Sequence, residues 1–535
     1  MSERFDAVIV GSGFGGAVIA HRLAETGLKV LVLERGRRWK PADYPRGPTD
    51  DWFWDDDEPA KQNGWLDLRN FGDMIVAQGA AVGGGSLVYA NISVCAKPFV
   101  FETGWPPEIT FDSLAPHYET VGKMLNVHVL PENQLTERFK LMREAAQADG
   151  VRERFEKLPL AVTFSDAWHY GLEDAHDNRH SQSWRNAQGQ MQGTCVHCGN
   201  CDIGCPVLAK NTLDLNYLAA AQQNHAEVLP LHRVNTIRPI EGGYEVEFDR
   251  IDPEAGQLIG GGKVVGTRLI LAAGSLGSTE LLVRARDELN SLPNVSDKLG
   301  YGWSSNGDFL TPAIYAHRRI SPTRGPTITC AIDFLDGIQN GKRFFVEDGG
   351  FPNVLGNAIR DVSGSARRKA GVLGILLHRA LKNLEVEDPL SHIMPWFGQS
   401  VDAADGRLYL GRDWWRPFGK RKLKLDWDIE ASKAAVQAMV DMHKQFSHVT
   451  GGTPLEPFFW RWFKNLITPH PLGGCCMGTD HHNGVVDHKG EVFGYPRLYV
   501  ADSAIVPRAI GLNPSRTIAA LAEHISEHII RDIHD

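Results

Sequence analysis

No apolar run in the 535-residue chain reaches the roughly 20 residues that a helix needs to cross a bilayer. Basic charge is not in excess either. The 65 acidic and 56 basic side chains leave a formal charge of −9, the wrong sign for a general nucleic-acid binder. There are no long low-complexity tracts, and the 42% apolar and 23% charged fractions are those of an ordinary globular protein. A buried-strand pattern, Phe5-Asp6-Ala7-Val8-Ile9-Val10, begins at once and leaves no room for a signal peptide. A cytoplasmic protein is expected, with membrane association on the cytoplasmic face left open. Cysteine is scarce, eight in all, yet Cys195, Cys198, Cys201 and Cys205 fall within eleven residues. In a reducing compartment such crowding reads as metal or redox chemistry before it reads as disulfides. The length exceeds what one core supports, so two or three domain-sized units are expected.

The strand at 5–10 runs into Gly11-Ser12-Gly13-Phe14-Gly15-Gly16, a Gly-x-Gly-x-x-Gly turn. A helical stretch to Glu25 follows, then a second apolar strand, Lys29–Leu33, which delivers Glu34. Gly11 permits the tight turn, Gly13 lets the backbone approach a pyrophosphate, and Gly16 lets helix and strand pack closely. The helix N-terminus offers unpaired N–H groups and a positive dipole end to phosphates. Glu34 suits the hydroxyls of an adenosine ribose and disfavours a 2′-phosphate. This unit alone fits either NAD or FAD. Further pieces suggest one nucleotide domain built from distant segments. They are the stretch Ala81–Asn91 with Gly83, Gly84, Gly85, Ser86 and Asn91, a strand Arg268–Gly274 ending at Ala273 and Gly274, and a strand Arg497–Asp502 that places Asp502 at a sheet's carboxyl edge.

With His470-Pro471-Leu472-Gly473-Gly474 and Gly511-Leu512-Asn513-Pro514-Ser515, these segments make the chain resemble the glucose–methanol–choline (GMC) flavoprotein oxidoreductases over nearly its whole length. Asn216-Tyr217-Leu218, Ala209–Thr212 and Asn306-Gly307-Asp308 are similar to segments of the cholesterol-oxidase-like branch. The resemblance implies an α/β fold in which a Rossmann-like FAD-binding domain is assembled from discontinuous segments (1–110, 190–310 and 466–535, the cysteine segment 193–210 included). An α+β substrate domain with an antiparallel sheet and a lid takes 111–189 and 311–465. It also implies Phe14, Gly15 and Pro514 at the cofactor.

Oxidising an alcohol requires a base for the hydroxyl proton and an acceptor for hydride. A histidine titrates in the right range for the base, and His470 matches the family's active-site histidine. Asn513 matches its partner position and would hold the substrate oxygen, although Asn-Pro ahead of a helix is also what N-capping selects. Glu347 is the candidate for the glutamate that some members place near the substrate. The implied substrate is a hydrophobic alcohol, sterol-like or otherwise secondary. The alternatives are an oxygen-using oxidase without a cluster, a flavin-dependent lyase or decarboxylase, and an electron-transfer flavoprotein.

Cys195-x-x-Cys198-x-x-Cys201-x-x-x-Cys205-Pro206 has the spacing of bacterial ferredoxins. It leaves open a three-iron or four-iron cluster, zinc, or reduced thiols. A similar segment in bacterial FAD-dependent glucose dehydrogenases implies that electrons leave through an iron–sulfur cluster to an acceptor protein or quinone. Two stretches remain. The aromatic run Phe458–Phe463 reads either as a pocket wall or as core, and 365–384, basic and apolar, as a membrane-surface helix or a packed one.

Overall fold

The computed structural model describes residues 3–47, 50–55, 58–354, 388–413, 418–455 and 466–534. The strand Glu3–Val10 is the middle of a seven-stranded sheet. It runs parallel to Val30–Leu33 on one side and to the end of the long strand Leu258–Leu271 on the other, with Ile9 opposite both Val32 and Ile270. Val8, Ile9 and all of Val30–Leu33 are buried, as strands covered on both faces must be. Glu227–Leu229 extends the sheet beyond Val30–Leu33, and Leu498–Val500 pairs with Leu269–Leu271. The first half of Leu258–Leu271 turns outward into an antiparallel meander with Gly243–Ile251 and His232–Ile240. One sheet therefore gathers strands from both ends of the chain and from its middle.

Helix α1 (Phe14–Glu25) begins inside the glycine turn, three residues before the apolar pattern starts at Ala17. Nine of its twelve residues are buried, because it is sandwiched between the sheet and the C-terminal helix. The strand expected to end at Gly274 stops at Leu271 instead, and Gly274 opens helix α2 (Gly274–Asp287). Helix α3 (Ser515–His534) starts directly after Asn513-Pro514.

A second, six-stranded sheet is antiparallel throughout. Its order is Thr453–Pro454, Phe309–Ile314, Ile393–Ser400, Phe344–Asp348, Cys330–Asp333 and Phe155–Lys157. The helix Lys433–Val449 packs on it through Val436, Met439, Val440 and Phe446. The fold is thus mixed α/β, a Rossmann-like unit beside an antiparallel sheet. Among the described residues no helix is long and apolar enough to cross a membrane.

Candidate active site

A cavity of about 1300 Å³ runs from the glycine turn, past Glu34 at one end, to His470 and Asn513. That exceeds the ~300–1,000 Å³ of ordinary small-ligand pockets and leaves room for a dinucleotide and a substrate together. The glycines of the turn serve two distinct ends. Gly11 has φ +97°, and a Cβ there would lie 2.3 Å from Ala272 O; one on Gly16 would lie 2.1 Å from Gly11 O. These two are demanded by the packing of the protein on itself. A Cβ on Gly13 would meet only Gly84 Cα, at 4.0 Å, and one on Gly85 would meet nothing within 4 Å. Both residues line the cavity. Their bare backbone faces the space a pyrophosphate would fill, so the cradle fits a dinucleotide.

Glu34 lies on the cavity wall, 5% exposed. Its Oε2 accepts Ser12 N (3.0 Å) and Ser12 Oγ (2.6 Å), and its Oε1 accepts Gly36 N (2.9 Å). Oε1, with one donor, keeps a further lone pair. Ser12 Oγ also accepts Gly83 N at 3.0 Å, which locks the turn, the acid and the second glycine stretch together. Phe14, Gly15 and Gly84 line the cavity, whereas Gly16, Gly83, Ser86 and Asn91 do not. Ser86 Oγ is committed to Gly83 O and Leu213 N, and the Asn91 amide turns toward Cys201. These four support the wall from behind. The Phe53-Trp54-Asp55 segment, of no evident role in the sequence, walls the Glu34 end.

Ala273, Gly274 and Asp502 line the middle of the cavity. Asp502 accepts Gly274 N and Ala504 N, both at 2.8 Å, and Ser278 Oγ at 2.5 Å. Burial raises its carboxyl to about 6 against these donors. The Asp502 carboxylate therefore caps α2 at the carboxyl edge of the sheet, where ligands of such folds bind.

At the far end His470 follows the short strand Leu466–Thr468. Its Nδ1 is 2.8 Å from Oδ1 of Asp308, which is buried, and its backbone N–H donates to Thr468 Oγ1 at 2.9 Å. With Nδ1 engaged, Nε2 is the nitrogen left for a ligand. Asn513 and Pro514 complete the wall where α3 begins. Asn513 is not spent on capping. Its Oδ1 is buried with no hydrogen-bond partner, and a buried amide of that kind calls for a ligand or a proton donor.

Glu347 sits behind this wall, fully buried on the antiparallel sheet and directly opposite Phe397 in register. Phe397 and its other neighbour Leu310 line the cavity, so one row of the sheet presents apolar surface beside the carboxyl. Gln399 Nε2 donates to Glu347 Oε2 at 2.9 Å. Burial lifts the Glu347 carboxyl to about 8, with Asp348 and Asp308 adding to the rise and the Gln399 and Asn513 amides opposing it. Glu347 Oε1, Gln399 Oε1 and Asn513 Oδ1 all lack partners, and a proton on Glu347 would satisfy one of them. The folded protein holds this proton up to about pH 8, whereas an unfolded chain releases it near 4.5. The folded state therefore binds more protons in that window, and stability falls as pH rises through it. Glu347→Gln is expected to melt higher than the parent at pH 8, by about 2 °C or more, and to lose that advantage at pH 5. Parallel melting curves at the two pH values check this.

The cysteine loop corrects an expectation. Cys195, Cys198, Cys201 and Cys205 are free thiols, and among the described residues no three His, Cys, Asp or Glu side chains are grouped to hold a metal ion. Cys195 Sγ accepts His197 N at 3.4 Å, and Cys205 Sγ accepts Ala209 N at 3.3 Å. Burial raises the Cys195, Cys198 and Cys201 thiols, so they stay protonated. The loop instead buttresses the cavity. The buried Lys210 ammonium donates to Cys201 O, Leu87 O and Tyr89 O at 2.8, 3.0 and 2.8 Å, tying the loop to the second glycine stretch. The stretches 365–384 and 458–463 lie outside the described residues.

Spacing in the sequence does not point to Asp308, Thr468 or Gln399, whose side chains each meet a partner more than 50 residues away in the chain. The one signal near them is Asn306-Gly307-Asp308, noticed as a likeness and not as a site.

Comparisons with known proteins follow this geometry. The family described as GMC oxidoreductase matches residues 404–522, and an NAD(P)-binding Rossmann-like domain matches 9–39. The chain is 30% identical to a cholesterol oxidase of Acinetobacter baumannii, over 98% of this chain and 94% of that protein. It is 29% identical to a cholesterol oxidase of Mycobacterium tuberculosis, over 98% and 90%. A long-chain-alcohol oxidase of Arabidopsis thaliana is 25% identical, over 98% of this chain and 66% of that one. Among solved structures, pyridoxine 4-oxidase from Mesorbium loti superposes with a TM-score of 0.63 at 16% identity, covering 98% of this chain and 99% of the other. At that identity the superposition speaks to the fold.

Proposed function

The chain is a member of the GMC oxidoreductase family, an enzyme family acting on CH–OH donors, and on that premise we propose that it binds FAD and oxidises a hydrophobic alcohol to the carbonyl compound, sterol-like or other secondary alcohols being the favoured class. One observation carries the reading. The His470–Asp308 pair and Asn513, whose Oδ1 has no partner, stand at the end of a cavity that is continuous with a dinucleotide cradle. The long-chain-alcohol and cholesterol oxidases among the relatives support a hydrophobic substrate, and so does the apolar row Leu310 and Phe397 on the cavity wall.

Gly13, Gly85 and the N-terminus of α1 would hold the pyrophosphate, with Glu34 at the adenosine ribose and Ala273, Gly274, Asp502 and Pro514 along the remaining length. When bound, the flavin supplies the hydride acceptor. The protein's part is proton transfer and placement. His470 Nε2 takes the hydroxyl proton as general base. Asn513 holds the substrate oxygen, and α3, with its N-terminus at the cavity, adds a favourable field for negative charge there. Glu347, protonated below about pH 8, keeps Asn513 in place from behind.

A panel of alcohols tests the reading. Protein loaded with FAD should convert sterols or long-chain secondary alcohols to products two hydrogens lighter, detected by mass spectrometry, and should leave sugars and short polar alcohols untouched. Turnover of sugars alone would overturn the substrate class, and conversion without net oxidation would favour a lyase.

A further inference from the structure

We propose that the turn Ser304–Asp308 is the positioning element of this site, in which Asp308 orients and charge-balances His470 while Asn306 sets the loop that carries Asn513. The inference rests on the reading above and adds the residues through which its catalytic pair is built.

His470 and Asn513 lie on separate loops, and neither bonds the other. The turn bonds both. Asp308 Oδ1 meets His470 Nδ1 at 2.8 Å, and Asp308 Oδ2 accepts Thr468 Oγ1 at 2.6 Å; the same hydroxyl oxygen receives the His470 backbone N–H. Imidazole, carboxylate and threonine thus close a small ring that leaves the His470 ring one orientation. Two residues earlier, Asn306 Oδ1 accepts Ile510 N (3.0 Å) and Gly511 N (2.9 Å), and its Nδ2 donates to Leu512 O (2.9 Å). Both acceptor sites and one donor of its amide go to the three residues before Asn513. Asn306 takes φ +57° to reach them, a conformation asparagine tolerates.

The turn itself is anchored from below. The buried Asp402 carboxylate accepts Ser304 Oγ (2.6 Å), Ser305 N (2.8 Å) and Ser305 Oγ (2.9 Å). Gly307, at φ +62°, fits against Ser400 so closely that a Cβ would lie 2.1 Å from its Oγ. A plain structural turn would not need a buried carboxylate aimed at a half-buried imidazole.

The chemistry follows. The hydroxyl proton passes to His470 Nε2, so the imidazole becomes a cation; a bound flavin would supply the acceptor for the carbinol hydride. The Asp308 carboxyl lies 2.8 Å from Nδ1 to offset that charge, and by accepting from Nδ1 it keeps Nε2 free to act. Asp308 and Asn306 are positioning residues, and His470 remains the group that meets substrate.

The test compares anaerobic flavin reduction by a hydrophobic alcohol in the FAD-loaded parent, Asp308→Asn, Asp308→Glu, Asn306→Ala and Thr468→Val. Asp308→Asn should slow reduction about 10²-fold or more and leave KM nearly unchanged. It should also alter the acid limb of the rate–pH profile, because the base has lost the carboxylate that meets its Nδ1. Asp308→Glu should recover part of the rate. Asn306→Ala should slow reduction about 10²-fold through misplacement and speed hydrogen exchange at 510–513. Should Asp308→Asn fail to fold, Thr468→Val carries the same expectation of a slower rate. An Asp308→Asn rate and pH profile equal to the parent's, or an unchanged Thr468→Val rate, overturns the proposal while alcohol oxidation stands. A parent whose flavin no alcohol reduces overturns the oxidation reading, and this proposal falls with it.

Discussion

Replacing His470 by alanine is expected to slow flavin reduction by alcohol about 10²–10⁴-fold, the usual worth of a positioned general base, with FAD still bound in full. The side chain is 16% exposed and makes one side-chain bond, to Asp308. Its removal therefore costs the fold little. The cradle that would hold the cofactor draws on the turn at 11–15, the stretch at 84–85 and the edge at 273–274, whereas the imidazole's hydrogen bond goes to Asp308. Visible absorbance of the purified variant measures occupancy, and anaerobic mixing with substrate measures the rate. A variant that reduces its flavin at the parent rate would remove the base assignment. One that loses FAD would show that the loop has a binding role instead.

The second large effect separates two glycines that stand two residues apart. In Gly15→Ala the new methyl would lie 1.5 Å from Ala501 O, a backbone atom at the end of the strand Leu498–Val500. Backbone cannot swing away as a side chain can, so this variant should lose stability by ~3 kcal/mol or more and accumulate poorly. In Gly13→Val the Cβ meets only Gly84 Cα, at 4.0 Å, and the extra methyls project into open cavity. That variant should fold with a near-parental melting temperature in the absence of FAD and purify colourless. Thermal melts read beside flavin absorbance distinguish the two. A yellow Gly13→Val protein would mean that the cofactor's phosphates lie elsewhere.

What the sequence discloses and what it withholds follows from the range of the interactions. The strand, the turn, helix α1 and the strand ending before Glu34 are legible because each rests on neighbours within some 30 residues, where periodicity and glycine spacing carry information. His470 and Asn513 are legible through short motifs. Asp308, Thr468 and Gln399 are not, because an acid meeting a histidine 162 positions away leaves no local pattern. Glu347 could be placed near the site but not beside Asn513, since only the register with Phe397 puts it there. Asn91 and Ser86 belong to a stretch read from its glycines as cofactor-binding, yet neither side chain lines the cavity, and Ser86 is held by Gly83 O and Leu213 N, a contact spacing does not reveal. The cysteine spacing suits a cluster, but among the described residues the thiols are not grouped to hold a metal ion, and their loop is held by Lys210. Spacing fixes which sulfurs can approach one another and leaves open whether they do.

The central claim is that a hydrophobic alcohol delivers its electrons to a flavin held beside His470. Anaerobic titration of the FAD-loaded protein with a sterol or a long-chain secondary alcohol tests it most directly. The account predicts loss of the visible flavin bands with one equivalent of ketone formed per flavin reduced. A flavin that stays oxidised in the presence of every such alcohol would contradict it.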